Sequence, residues 1–335
     1  MKTMTKNFTF SRRNMIRAAV MGAALLAAGT SLAENFPTKP IRLVIPAPPG
    51  GGTDTMARLM AKAVTESANW AFIPDNRPGG GGNIGFDQAF KAQPDGYTLA
   101  LGESSNMIVN QFLYHQIPFD IEKDMQPIAL LARVPLVLIV SASGPYTSVD
   151  ELLAAGKNKS LSFASSGNGT LAHLVGESWK HKLGTDMLHV PYRGAAPAMT
   201  DLVGGRVDMF FASIPAALPM IQAGKVRALA ITAADRVAVL KNIPTMQEAG
   251  YKDMEASVVF GLVGPAGIPL TIVSQINTQI NKAMQNPEMV KQLGDMGVER
   301  TSGSIGGDAS FFAKLLREER TKWEPVVKAS GATVD

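Results

Sequence analysis

The chain has 335 residues, 46% hydrophobic and 18% charged, enough for one large or two medium domains with true cores. Cysteine is absent, which excludes disulfides and thiol catalysis. The formal net charge is +4, but the first 33 residues hold five of the 32 basic side chains and no acid; the remaining 27 face 28 acids, so charge gives no basis for nucleic-acid binding.

Residues 1–33 read as an export signal. Arg12, Arg13 and Arg17 precede the apolar run Ala18–Ala28, and Ser31-Leu32-Ala33 makes a small-residue cleavage site before Glu34. Eleven apolar residues are too few to span a bilayer comfortably, which favours cleavage over an anchor. Ser11 to Arg17 has the pattern of a twin-arginine signal. A periplasmic protein is expected.

The stretch that organises the remainder is Ile41 to Asp54. A buried strand, Ile41–Ile45, breaks at Pro46, Pro48 and Pro49, passes Gly50, Gly51 and Gly52, and enters a helix near Thr53, where Met56, Leu59, Met60, Ala63 and Val64 recur at helical spacing. Strand, Gly-rich turn and helix N-terminus together make an anion site from free N–H groups and the positive end of the helix dipole. A weak strand follows over 70–74, a helix over 84–92, a strand over 97–101, a helix over 107–114, and strands over 128–131 and 136–140. Strands alternating with helices predict an open, mostly parallel sheet.

Near Ser141 the pattern restarts. Ser148 and Glu151 form a capping-box start. The strand Leu161–Ala164 ends in the small polar loop Ser165 to Thr170, and a helix runs from Leu171 to Leu183. The strand Met187–Val190 leads through Pro191 to Pro197 into a helix over 198–203. Further strands are predicted over 207–211, 228–231 and 258–263, then helices over 269–285, 287–296 and 309–330. Phe311, Phe312, Leu315 and Leu316 should pack the last helix on the first domain. Two similar α/β units with converging loops are the pattern of a cleft binder. The chain is expected to pass between them near Ser141 and Ser257, giving domains 34–140 plus 258–335 and 141–257.

Catalytic patterns are weak. His115, His173, His181 and His189 lack the spacing of a metal site, and no serine sits in G-x-S-x-G. Gly80, Gly82 and Gly85 formally match G-x-G-x-x-G, with Glu103 about where a ribose-binding acid would stand. That supplies an alternative from another class, an exported NAD(P)-dependent oxidoreductase. Pro74 and Pro78 oppose it by separating strand from glycines, whereas the fingerprint needs the strand to run straight into the turn.

These loops together carry a resemblance. Pro48 to Asp54, Asn76-Arg77-Pro78-Gly79, Gly82 to Gly85, Pro94 to Leu99, Ser165 to Thr170, His189 to Gly194, Gly205 to Asp208 and Ile243 to Thr245 follow in order from Phe36 to about Trp323. The chain resembles the periplasmic solute-binding proteins of tripartite tricarboxylate transporters, the TctC or Bug family. The resemblance implies an α/β, two-domain fold of the type II periplasmic-binding-protein kind with a ligand cleft between domains. It further implies a non-enzymatic monomer without cofactor or metal, which holds a small organic carboxylate and meets the transporter's membrane subunits. By matching motif, the ligand loops are Gly51, Gly52, Thr53 and Asp54 in one domain and Tyr192, Gly194, Ala195 and Ala196 in the other, with Ser105, Ser165, Asn168, Thr170 and Asp208 as added polar groups. Binding is expected chiefly from main-chain donors rather than from Arg193. Where many relatives have an aromatic residue before the Pro-Gly-Gly-Gly turn, this chain has Ala47, which reshapes the pocket wall.

Overall fold

Strand β1, Ile41–Ile45, is apolar at four of its five positions, and those four side chains are buried. Such a run suits a strand covered on both faces in a parallel sheet. The structure, a computed structural model, describes residues 36–298 and 306–334, so the export signal lies outside the described residues. All elements below belong to the unit Pro40–Asp335.

After β1 come helix α1, Gly52–Ala68, strand β2, Phe72–Asn76, helix α2, Asn83–Phe90, and strand β3, Thr98–Glu103. A wide turn over 105–109 leads to the short helices α3, Asn110–Leu113, and α4, Ile121–Asp124. Strand β4, Met125–Ser141, follows, then α5, Val149–Gly156, β5, Leu161–Ser165, α6, Leu171–Leu183, β6, Met187–Pro191, and α7, Ala195–Val203. The remaining elements are β7, Met209–Ser213, α8, Ile214–Gln222, β8, Val226–Ile231, β9, Ser257–Pro265, α9, Leu270–Met284, α10, Pro287–Asp295, and α11, Ala309–Ser330.

Among the described residues the sheet has nine strands in the order β2-β1-β3-β9-β4-β7-β5-β6, with β8 also on β4. β1 is parallel to β2 and β3, and β5 is parallel to β6 and β7. β4 joins the two sets. Met125 to Pro135 pairs antiparallel with β9, and Leu136 to Ser141 pairs antiparallel with β7 and β8. The expected pair of strands over 128–131 and 136–140 is therefore one strand of 17 residues. Its prolines fit because neither sits in a regular central ladder. Pro127 adjoins a register shift, and Pro135 is the last residue paired to β9 before the partner changes.

Helix α8 is absent from the sequence-based expectation because Pro215 and Pro219 fall inside it. Pro215 occupies the first turn, where no N–H is needed, and the helix ends one turn after Pro219. The C-terminal helix α11 packs on β4, the 105–109 turn and α6. Its Phe312 ring lies directly under Gly261 of β9, where a Cβ would come within 2.0 Å of Cζ. It thus touches the second half of the molecule as well as the first, as the broad apolar face of a 22-residue helix permits. Buried apolar residues from Val44 to Val327 form one connected cluster.

Candidate functional site

The strand registers decide which loops meet. β3 ends at Glu103, which pairs with Phe260, and Phe260 pairs with Ala132 of β4. β7 runs the other way along β4, from Phe210 beside Ile139 to Ser213 beside Leu136. Ser165, one residue past Ala164 and its partner Phe210, stands level with Leu138. The carboxyl ends of the two parallel sets thus point toward each other across β4. Six residues of β4 separate their levels, roughly 20 Å at about 3.3 Å per residue. The loops after β1, β3, β5 and β6 project into that interval. They touch at one side, where a Cβ on Gly169 would come 2.0 Å from Leu113 Cδ1.

On the first side, α1 begins without a side-chain cap at Gly51. Gly51 and Gly52 are exposed, and the N–H groups of Gly52, Thr53 and Asp54 have no acceptor within the helix. The Asp54 carboxylate turns back to brace the turn. It accepts from Gly50 N at 2.9 Å, Arg58 Nε at 2.9 Å and Asn76 Nδ2 at 2.9 Å. The Arg58 hydrogen bond is the main reason its pKa falls to about 2, with burial opposing and Gly50 and Asn76 assisting. Asn76 Nδ2 also holds Ala47 O at 3.0 Å. Asp54 is therefore occupied by Gly50, by Arg58 of α1 and by Asn76 at the end of β2.

Thr53 and Ser105 converge on a residue the ligand-loop expectation left out. Thr53 Oγ1 donates to Glu103 Oε2 at 3.1 Å and Ser105 Oγ donates to Glu103 Oε1 at 2.7 Å. The sequence offered Glu103 as the end of a strand and as the ribose-binding acid of the dinucleotide alternative, and neither reading joined it to Thr53 and Ser105.

The run Gly79–Gly82 with Gly85 has a packing reason. A Cβ would lie 2.5 Å from Tyr114 Oη at Gly81, 3.0 Å from Pro46 O at Gly82 and 2.8 Å from Arg77 O at Gly85. These glycines let the chain press against the exit of β1. The strand β2 ends at Asn76, and three residues separate it from Gly80, so it does not run into a dinucleotide turn.

On the second side, Ser165 is fully buried and shares a 2.7 Å hydrogen bond with His189 Nε2. Its hydroxyl also meets Gly167 O at 3.1 Å and Gly167 N at 3.2 Å. Asn168 is exposed, and Thr170 Oγ1 donates back to Gly167 O at 2.8 Å while α6 starts with no side-chain cap. Gly169 N donates to His173 Nδ1 at 3.1 Å, which places the proton of a neutral His173 on Nε2. The His173 and His189 rings stack at 4.0 Å between centroids. Burial lowers both pKa values to about 4, with Lys180 adding to the effect on each and His173 to that on His189.

Tyr192 is tied by its hydroxyl to Asp201 Oδ2 at 2.8 Å, and burial, then Asp201, pushes it up to about 12. Its N–H and that of Gly194 join the two loops, at 3.1 Å to Ser165 O and 3.1 Å to Ser166 O. The Gly194 N–H, expected as a ligand donor, is thus consumed by the neighbouring loop after β5. Gly194, at φ +110°, leaves α7 without a side-chain cap, so the first-turn N–H groups of Ala195 and Ala196 are the ones left over. Asp208 does not join the cluster. It stands before β7, beside Ser162 at the amino end of β5, and accepts from Ser162 N at 2.8 Å and Lys159 Nζ at 2.7 Å. Burial raises its pKa, but Lys159 and Ser162 together bring it below the usual carboxylate value.

Comparison with known proteins agrees with this architecture. The family described as "Tripartite tricarboxylate transporter family receptor" matches residues 56–332. Protein BugT of Bordetella pertussis is 35% identical, covering 95% of this chain and 99% of that one. Among solved structures, an R. palustris protein with adipate is 34% identical, with a TM-score of 0.79 over 90% of this chain and 100% of that one. MatC from Rhodopseudomonas palustris, with bound malate, is 29% identical, with a TM-score of 0.73 over 87% of this chain and 100% of that one. The facing strand ends, the shared strand β4 and these matches lead to one conclusion: the chain belongs to the TctC/Bug family of periplasmic solute-binding proteins.

Proposed function

We propose that this chain works in the periplasm as a monomer, captures a small organic carboxylate between two domains, and delivers it to the membrane subunits of a tripartite tricarboxylate-type transporter. The domains are 34–140 plus 258–335 and 141–257 to within a few residues, and they move about β4 where its partner changes after Pro135 and about the start of β9 at Ser257 beside it. The observation that supports this reading most is the pair of uncapped helix starts, at Gly52 and Ala195, on opposite sides of the interval spanned by β4. Adipate and malate in two structural neighbours are the chemical precedent.

Main-chain N–H groups carry the recognition. Each hydrogen bond to an ionised acceptor is worth about 1.5–3 kcal/mol, so three or four suffice without a buried cation and its desolvation cost. Arg193 is exposed, in keeping with a minor role. Because the donors sit on both sides, an anion makes more contacts when the sides approach, and that difference drives closure.

The test uses proline as a donor deletion. Gly52 and Ala195 are the first residues of their helices, where proline fits and removes only an N–H. A thermal-shift screen of mono-, di- and tricarboxylates should find a ligand that adds about 2.7 kcal/mol at 100 times its dissociation constant. Gly52→Pro and Ala195→Pro should each keep the unliganded melting temperature and weaken that ligand at least tenfold, whereas Arg193→Ala weakens it only modestly. If no carboxylate shifts the melting curve, or both proline variants bind as the parent does, the reading fails.

A further inference from the structure

We infer that Glu103 selects, among small carboxylates, those that also carry an ammonium group. The inference rests on the carboxylate-binding reading above and adds the ligand's second functional group.

Glu103 ends β3, is half-buried, and lies in the interval between the two sets of strand ends. Its cross-strand partner is Phe260, and a Cβ on Gly52 would lie 3.9 Å from Phe260 Cζ. The start of α1 therefore sits over the β3–β9 pair, with Glu103 beside it. The recorded partners of the Glu103 carboxylate are two hydroxyls, Thr53 Oγ1 and Ser105 Oγ. Three nearby acids of the same half each face a cation: Asp54 has Arg58, Asp75 has Arg42 and Arg77, and Asp87 has Lys91. Glu103 has no such partner among the described residues.

An anion on the first-turn N–H groups of α1 must lie close to Glu103, because Thr53 contributes both an N–H to that site and the hydroxyl on Glu103. By bond lengths, its oxygens come within roughly 5–8 Å of the Glu103 carboxylate. Two carboxylates at that spacing, partly shielded from water, repel each other. A ligand with only carboxylates pays this repulsion in full. A ligand with an ammonium group placed between its own carboxylate and Glu103 converts it to attraction. The hydrogen-bond count agrees, since a carboxylate has about four acceptor positions and the two hydroxyls take two. An ammonium donor fills those left open, whereas an arginine or lysine of the protein would have closed them.

Calorimetry on ligand pairs that differ by one ammonium group tests this, for example adipate with 2-aminoadipate and pentanoate with 2-aminopentanoate. In the unaltered protein the aminated member of at least one pair should bind at least tenfold more tightly. Glu103→Gln, which keeps an acceptor for the hydroxyls, should erase that preference and tighten the plain acid, with the unliganded melting temperature nearly unchanged. If in every pair that binds the plain acid binds as well as its aminated partner in the unaltered protein, the inference is overturned without any variant, and the carboxylate reading is left standing. A preference that survives Glu103→Gln overturns it equally. If neither member of any pair binds, the carboxylate reading fails and takes this inference with it.

Discussion

Asp54 and the His173–His189 pair couple their loops to pH in different ranges. The Asp54 pKa lies at about 2 in the fold against 3.8 ordinarily. Its contribution is therefore complete above pH 3.8 and disappears as the pH falls toward 2. The two histidines have folded values of about 4 against 6.5. Between those limits the unfolded chain binds protons that the folded chain refuses, so stability is full above pH 6.5 and declines toward pH 4. With about 1.4 kcal/mol per tenfold change in proton affinity, each ring of the stacked pair accounts for about 3 kcal/mol of that decline. Urea titrations at stepped pH should show this limb, and His189→Phe, which keeps a ring in the stack, should make it markedly shallower. Asp54→Ala strips partners from Gly50, Arg58 and Asn76 and should cost about 2 kcal/mol at pH 7, with a lower urea midpoint.

At the scale of elements, Gly176 and Gly169 show packing overruling local preference. Gly176 lies inside α6, where alanine would be favoured by about 1 kcal/mol on helix propensity alone. A Cβ there would be 2.2 Å from Phe163 Cε2 of β5, however. Gly176→Ala should therefore destabilise by about 1–3 kcal/mol, a reversal of sign that denaturant unfolding reads directly. Gly169 is constrained twice, by φ +74° and by Leu113. Gly169→Ala should loosen the loop that touches the other half of the molecule and lower the melting temperature.

For the whole molecule, the decisive feature is that among the described residues β4 and β9 carry all of the strand pairing between the two sets. Closure about those strands should leave the core of each half unaltered and protect the facing loops. Hydrogen exchange with and without the carboxylate found by the thermal-shift screen should show new protection at 51–54, 103–105, 165–170 and 192–196. Protection confined to the groove between α6 and the end of α11, lined by His181 and Val326, would place the ligand elsewhere.

Where local patterning carried the information, the sequence reading and the structure coincide. β1 at Ile41–Ile45, α6 at Leu171–Leu183 and α11 at Ala309–Ser330 end where they were expected to. An apolar run bounded by proline, an amphipathic period and a glycine after the last turn are all signals within a few residues. Helix α8 was hidden because its prolines are tolerated only by position within the helix, which composition does not reveal. The single strand β4 was equally hidden, since what lets Pro135 stay in a strand is the change of partner from β9 to β7, more than seventy residues downstream. The same reason governs the candidate site. The motif loops and their order were legible, but which N–H groups remain unused depends on Ser166 taking Gly194. Asp208 is held away from the cluster by Ser162 and Lys159, and Glu103 is placed within it by Thr53 and Ser105. The sequence alone determined the elements and the loops between them; tertiary structure decided which polar groups those loops leave free, because a hydrogen bond spent on a distant partner is no longer available to a ligand.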